Sequence, residues 1–271
     1  MDKIEVPTEE TVPLDAIAAG VVGLRIIFVN VFAVAGESGW TLVDAGLNGS
    51  AGRIRSWAAE HFGDGGPTAI VLTHGHFDHV GALDGDAWNV PVYAHIEELP
   101  YVTGSRLYPA PDPTVGGGLM ARMASAYPRE PVDLGDRIRE LPRDGSIPGM
   151  PGWRWIHTPG HTAGHVSLFR DADRTLIVGD AFCTTKQESF LAVATQRPEL
   201  HGPPAYFTTD WDAARDSVRR LAALEPAFIA PGHGQPMAGP HVRQGLHELA
   251  ARFDEVARPA HGRYVEHPRR G

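Results

Sequence analysis

Apolar residues along this chain come in short runs that end in glycine turns. "RIIFVNVFAVAG" (25–36) is dense in β-branched and aromatic residues and reads as one strand. "ESG" predicts a tight turn into a second strand, "WTLVDAG", and so a hairpin. In "SAGRIRSWAAEHFG", Ile54, Trp57, Ala58 and His61 recur at helical spacing, with Ser50 placed as a cap and Gly63 as the stop. "TAIVLT" and "VPVYAH" are short buried strands, the second leading to a helix start at "IEELPY". From Thr103 to Gly118 the chain is Pro- and Gly-rich, an irregular insertion, and "LMARMASAY" after it reads as a short helix. "GWRWIHTPG", "HVSLFRD" and "RTLIVGD" are strands. "TDWDAARDSVRRLAALEP" is a capped amphipathic helix, "AFIAPG" a strand, and residues 240–258 a closing helix before a loose tail, 259–271. Strands lead and helices follow in each half, which predicts two packed sheets with helices outside, a layered α/β fold.

Composition narrows the picture. The chain has 271 residues and is 42% hydrophobic, with no low-complexity linker, so a single domain is expected, its core spanning about 20–235. No apolar run approaches the roughly 20 residues needed to span a bilayer; the longest is interrupted by Arg25 and Asn30. The start, "MDKIEVPTEE", has no apolar signal segment, and the lone Cys183 fits a reducing compartment, so a cytoplasmic location is expected. A formal net charge of −9 works against extended phosphate-backbone binding and points away from nucleic acid.

Chemistry concentrates in "LTHGHFDHVG". His74 and His76 lie two apart just past a strand end, so an extended backbone turns both to one side. Asp78 and His79 follow as the chain turns into a helix. Imidazole and carboxylate together suit zinc, iron or manganese, and four such groups in six positions are too many for one closed site. They divide more naturally between two ions, which requires ligands from elsewhere. "WIHTPGHTAGH" offers His161, "LIVGD" offers Asp180 and "FIAPGHG" offers His233, each after a strand that ends in a turn. His157 and His165 flank the second motif and are candidates for a supporting or substrate contact. His61, His95, His201, His241, His247, His261 and His267 read as ordinary surface or core residues.

The set "HGHFDH", "TPGHTAGH", "LIVGDAF" and "APGHG", in that order, resembles the metallo-β-lactamase-fold hydrolases, and "WTLVDAG" resembles their first motif. The resemblance implies an αββα sandwich of two mixed sheets with metals at one edge. His74, His76 and His161 would hold one ion, Asp78, His79 and His233 the other, and Asp180 would bridge them. Asp44 would orient a ligand or a water. Two zinc ions are implied, with iron or manganese as alternatives. The activity implied is hydrolysis by a metal-bridging hydroxide, Asp180 and Asp78 being the catalytic carboxylates.

Branch signatures narrow the substrate. A glutamate stands at the position of His76 in the flavin-dependent di-iron branch. The Gly-rich segment of the glyoxalase II branch is not evident after Asp180, and Cys183 stands where quorum-quenching lactonases place a tyrosine. The RNA-binding arm of the tRNA-processing nucleases and the export signal of true β-lactamases are not evident either. A small-molecule ester, lactone or thioester is the expected substrate, and a homo-oligomer is compatible with the sequence. The rival readings are a mononuclear-iron, glyoxalase II-like or persulfide dioxygenase-type enzyme and a non-catalytic metal-binding sensor or scaffold. Pocket walls are expected from 104–118 and 183–211, with Arg106, Tyr108, Cys183, Lys186, Gln187, Glu188, Tyr206 and Trp211 as candidate substrate contacts.

Overall fold

The computed structural model describes residues 4–85, 87–129 and 132–269. A short strand, β1 (Ile4–Glu5), precedes the first sheet. Its six strands follow in sequence: β2 (Val21–Ile26), β3 (Val29–Gly36), β4 (Gly39–Val43), β5 (Ala69–Val71), β6 (Val92–Ala94) and β7 (Ile138–Glu140). β2, β3 and β4 pair antiparallel, and β4 to β7 continue in parallel. The second sheet starts with β8 (Trp153–His157), β9 (Val166–Arg170) and β10 (Thr175–Gly179). β11 (Glu199–Leu200) leaves it to pair with β1, and β12 (Phe228–Pro231) and β13 (Met237–Ala238) complete it in the order β13-β12-β10-β9-β8.

Period-two alternation explains the layering. Phe32 and Val34 of β3 face inward, meeting Leu168 of β9 and Ile177 of β10 in a core between the sheets. Val31 and Ala33 face outward and pack with Ile54 and Trp57 of α1 (Ala51–Phe62). On the far side, Phe169, Leu176 and Val178 pack under Val218 and Leu221 of α6 (Trp211–Ala222) and Leu246 and Leu249 of α7 (Pro240–Ala251). Each such side chain, fully buried, contributes about 1.5–3 kcal/mol. The result is an αββα sandwich of two mixed sheets. Short helices sit in the connections: α2 (Phe77–Val80), α3 (Leu99–Val102), α4 (Leu119–Met123) and α5 (Phe190–Thr195). No helix among the described residues is long and apolar enough to cross a membrane.

Five expectations need correction. The run 25–36 is not one strand: Ile27 adopts φ 60° and turns the chain, so β2 and β3 form a hairpin of their own. Ser50 occupies the N-cap position of α1, but its hydroxyl donates to Leu47 O (2.6 Å) and leaves the helix N–H groups uncapped. His61 is exposed, and its neighbour Phe62 supplies the packing, stacked on Trp40 at 5.4 Å. The closing helix breaks at Arg252 between α7 and α8 (Phe253–Val256).

The segment 259–269 is not loose. It forms α9 (Arg263–Glu266) and docks on the insertion: Arg263 N donates to Asp112 Oδ2 (2.6 Å) and Tyr264 Oη to Ala110 O (2.5 Å). The capping of α6 agrees with its sequence: Asp210 accepts from the backbone of Asp212 and Ala213, a cap worth about 1 kcal/mol.

Candidate metal centre

The parallel pairs β4–β5 and β10–β12 end at the same edge of the sandwich, where crevices in α/β sheets form. Asp44 follows β4, His74 and His76 follow β5, Asp180 follows β10 and His233 follows β12. His161 comes from the turn after β8. Asp78 and His79 sit on the single turn of α2, with His76 as its extended N-cap residue.

All seven candidate side chains are buried and converge. Three donor groups have atoms within 4.8 Å of one another: His74, His76 and His161; His74, His79 and Asp180; Asp78, His79 and His233. His76 Nδ1 lies 3.0 Å from both His74 Nε2 and His161 Nε2. Nitrogens sharing a tetrahedral zinc lie about 3.3 Å apart, given Zn–N bonds of about 2.0–2.1 Å. Asp180 stands between the halves, Oδ2 lying 3.5 Å from His161 Nε2 and 3.1 Å from His233 Nε2. His233 Nε2 is 3.5 Å from Asp78 Oδ2.

Two buried atoms, His79 Nε2 and Asp180 Oδ1, have no hydrogen-bond partner, although they lie only 3.5 Å apart. An orphaned carboxylate oxygen facing an orphaned imidazole is costly unless a cation satisfies both. Electrostatics agree. Burial and neighbouring imidazoles hold His74 and His161 well below the ordinary histidine value, and His76 at about 3, so all three present neutral lone pairs. Burial opposes charge on Asp180, yet His233 and His79 hold it well below the usual carboxylate range. His79 and His233 are pushed up against burial, chiefly by Asp180. The donor set fits divalent cations of the zinc, iron or manganese kind.

The outer nitrogens are fixed as metal-ligating histidines require. His79 Nδ1 meets Asp44 Oδ2 (2.8 Å), His233 Nδ1 meets Phe28 O (2.9 Å), and Thr73 and Thr208 hydroxyls face His74 and His161. Asp44 also accepts from Thr73 N and its hydroxyl, each at 2.8 Å. To reach all three it adopts φ 58°, unusual for a residue with a side chain.

A model of the metallo-β-lactamase superfamily matches residues 24–233. The chain belongs to that superfamily. The probable metallo-hydrolase YflN of Bacillus subtilis is 46% identical over 245 residues, covering 88% of this chain and 93% of YflN. The crystal structure of TTHA1623 in a di-iron-bound form is 27% identical with a TM-score of 0.53, covering 84% of this chain and 96% of the other. A β-lactamase domain protein from Burkholderia ambifaria, 22% identical with a TM-score of 0.60 over 92% of this chain and 76% of its own, shows the same fold.

Around this metallo-β-lactamase-type site the chain adds supports; sequence reasoning missed all of them but His165, one of the two flanking histidines named for a supporting or substrate contact. Glu98, fully buried at the start of α3, accepts from Thr162 Oγ1 (2.6 Å) and Gly164 N (2.9 Å) with one oxygen. Its other oxygen accepts from Gly75 N (3.0 Å) and the Tyr108 hydroxyl. One carboxylate thus ties the His74–His76 loop to the His161 loop. No signal marks it, because a glutamate in "IEELPY" reads as a surface helix start. His165 Nε2 accepts Asp180 N (2.8 Å) while its Nδ1 faces Thr158 Oγ1 (2.9 Å), so this histidine aims the central carboxylate. Asn30 Nδ2 donates to Pro231 O and Gly234 O, tying the β2–β3 hairpin to the His233 loop. Gly232 leaves the space Asp180 needs: a Cβ there would lie 2.2 Å from Oδ1.

The expected substrate contacts divide. A cavity of about 700 Å³ opens on His76 and His161, with Arg106 and the Tyr108 ring in its wall. Tyr206 lines a smaller one at Asp78, Asp180 and His233. Cys183, Lys186, Gln187, Glu188 and Trp211 line neither. Cys183 is fully buried on a bridge paired with His201, and Trp211, the first residue of α6, packs against Phe253, so both are core. His157 lies away from the cluster, stacked on His95 at 4.2 Å and near Glu97.

Proposed function

We propose that this chain is a dinuclear metal hydrolase of small-molecule esters, lactones or thioesters, with zinc as the resident ion and iron or manganese as alternatives. The observation that carries the reading is the place of Asp180, one oxygen of which faces His161 and His233 together. His74, His76 and His161 would hold one ion and Asp78, His79 and His233 the other, with Asp180 between them. The chemistry such a pair supplies is a water acidified towards neutral pH and a polarised carbonyl oxygen.

The chain's own groups set the conditions. Asp44 locks His79 in one tautomer, and His165 holds the Asp180 backbone. Asp78 has its carboxyl pushed up by burial and faces the smaller cavity, where it is placed to take a proton from an attacking water. Metal ligation by Asp78 would compete with that role. Phe77, Tyr127 and Phe207 close that cavity with apolar surface. Cys183, with its thiol pushed up by burial, is no nucleophile.

The relatives' names support metal-dependent hydrolysis, and the di-iron form of TTHA1623 supports two-ion occupancy while keeping iron under test. A cytoplasmic location belongs to the same proposal. A mononuclear-iron oxygenase would leave the Asp78–His79–His233 group idle, and a scaffold would not need the water-excluding wall. The test is a panel of esters, lactones, thioesters and phosphoesters on metal-quantified protein. The expected result is close to two ions per chain and turnover of a carboxylic ester, lactone or thioester. One iron per chain with oxygen uptake would establish the oxygenase, and bound metal without turnover the scaffold.

A further inference from the structure

The larger cavity has His76 and His161 at its base and two guanidinium groups, Arg106 and Arg269, in its wall. Among the described residues no carboxylate side chain lines it, in a chain whose formal charge is −9. Arg154, Arg170, Arg215 and Arg258 each pair with an aspartate. Arg106 and Arg269 are exposed and make no ion pair among the described residues. Two unpaired cations beside a metal centre, in an otherwise acidic protein, attract an anion into that cavity.

The wall is built rather than incidental. Arg106 belongs to the insertion, on whose Asp112 and Ala110 the C-terminal segment docks. Arg269 N then donates to Thr209 O (3.0 Å), and Thr209 N donates to Gly160 O (3.0 Å), one residue before His161. The last described residue is therefore fastened, through two backbone bonds, to a loop of the metal centre. Thr162 and Thr209 add hydroxyls, while Leu107 and Phe207 add apolar surface. Two cations among apolar groups suit a single carboxylate on a short organic chain better than a polyphosphate.

Resting on the hydrolase reading, we propose that the substrate is an ester, lactone or thioester bearing a carboxylate, held by Arg106 and Arg269, with the C-terminal segment as a specificity-determining wall. The scissile carbonyl lies at the His76–His161 end and the carboxylate at the arginine end.

Matched substrate pairs test this on the metal-loaded full chain. For the acyl side, para-nitrophenyl hexanoate is compared with the para-nitrophenyl monoester of adipic acid; for the alcohol side, phenyl acetate with para-acetoxybenzoate. The expected result is a kcat/KM preference of about tenfold or more for the anionic member of one pair, weakening as salt rises. Arg106→Ala and Arg269→Ala should each cut that ratio several-fold, with Arg269→Lys retaining part of it. Arg53→Ala, an equal charge change on the outer face of α1, should leave the ratio unaltered. Equal turnover of both members in both pairs, or a ratio indifferent to the two arginines, overturns the inference and leaves the hydrolase reading standing. Should no ester be cleaved, that reading falls. The ester substrate falls with it, and calorimetric titration with adipic acid monoamide then decides the carboxylate subsite alone: the subsite stands only if affinity drops about tenfold in the arginine variants and falls if it does not.

Discussion

Replacing Glu98 with Gln changes one buried oxygen into an amide nitrogen and leaves the shape intact. In the native chain four donors share the carboxylate: Thr162 Oγ1 and Gly164 N on one oxygen, Gly75 N and the Tyr108 hydroxyl on the other. Either rotamer of the amide therefore sets N–H against two donors. The better rotamer keeps Thr162 and Gly164, because Gly75 N retains Tyr108 Oη as acceptor at 2.9 Å. The Tyr108 proton and part of the Gly75 bond are then lost. Each bond to a charged group contributes about 1.5–3 kcal/mol, and removing the buried charge returns some of that, for a net loss of about 2–4 kcal/mol. In a chain this long that lowers Tm by roughly 5–15 °C. The looser tie between the His74–His76 and His161 loops should also weaken metal binding about 10–100-fold. Melting of metal-free protein followed by circular dichroism, with a competitive chelator titration, measures both. Tyr108→Phe removes only one donor and should fall between the two. A Tm and a metal affinity both unchanged in Glu98→Gln would refute the idea that this carboxylate couples the loops.

Other outcomes follow from the same geometry. Asp180→Ala removes the oxygen shared by His161 and His233, so turnover should vanish and metal content, by elemental analysis, should fall below two per chain; undiminished turnover contradicts the assignment. Gly232→Ala sets a Cβ 2.2 Å from Asp180 Oδ1 and 3.0 Å from His79 Cε1, costing about 1–3 kcal/mol and lowering metal content while circular dichroism stays native. His165 gives a pH signature. Burial lowers it to about 3 from 6.5, so between those values the unfolded chain takes a proton that the native chain refuses. Stability of the metal-free protein is thus full above pH 6.5 and lost as pH falls, at about 1.4 kcal/mol per pH unit for this group. His165→Gln should flatten that part of the urea-denaturation profile, while leaving Asp180 N–H an acceptor.

The layered fold and the convergence of the donor set were legible because both rest on strong local signals. β3 to β5, β8 to β10 and β12 are short apolar runs, and most donors follow a strand end where side-chain direction is nearly dictated by the backbone. The hairpin at Ile27–Phe28 was hidden because a two-residue turn made of Ile and Phe carries no Gly, Asn or Asp, and only φ 60° at Ile27 reveals it. Yet that turn matters to the site, since Phe28 O holds His233 Nδ1 and Asn30 holds the loop around it. Arg25 and Asn30, which in the sequence merely interrupt an apolar run, are there to serve these loops: Arg25 donates to Gly234 O at 3.0 Å. Glu98 and Arg269 were illegible for a different reason. The partners of Glu98 lie 10 to 66 residues away, and the partner of Arg269 N is the distant Thr209. Chain-local patterns identify which atoms can bind a cation. What orients those atoms, and what charge faces them across the cavity, is decided by contacts between loops that no local pattern encodes.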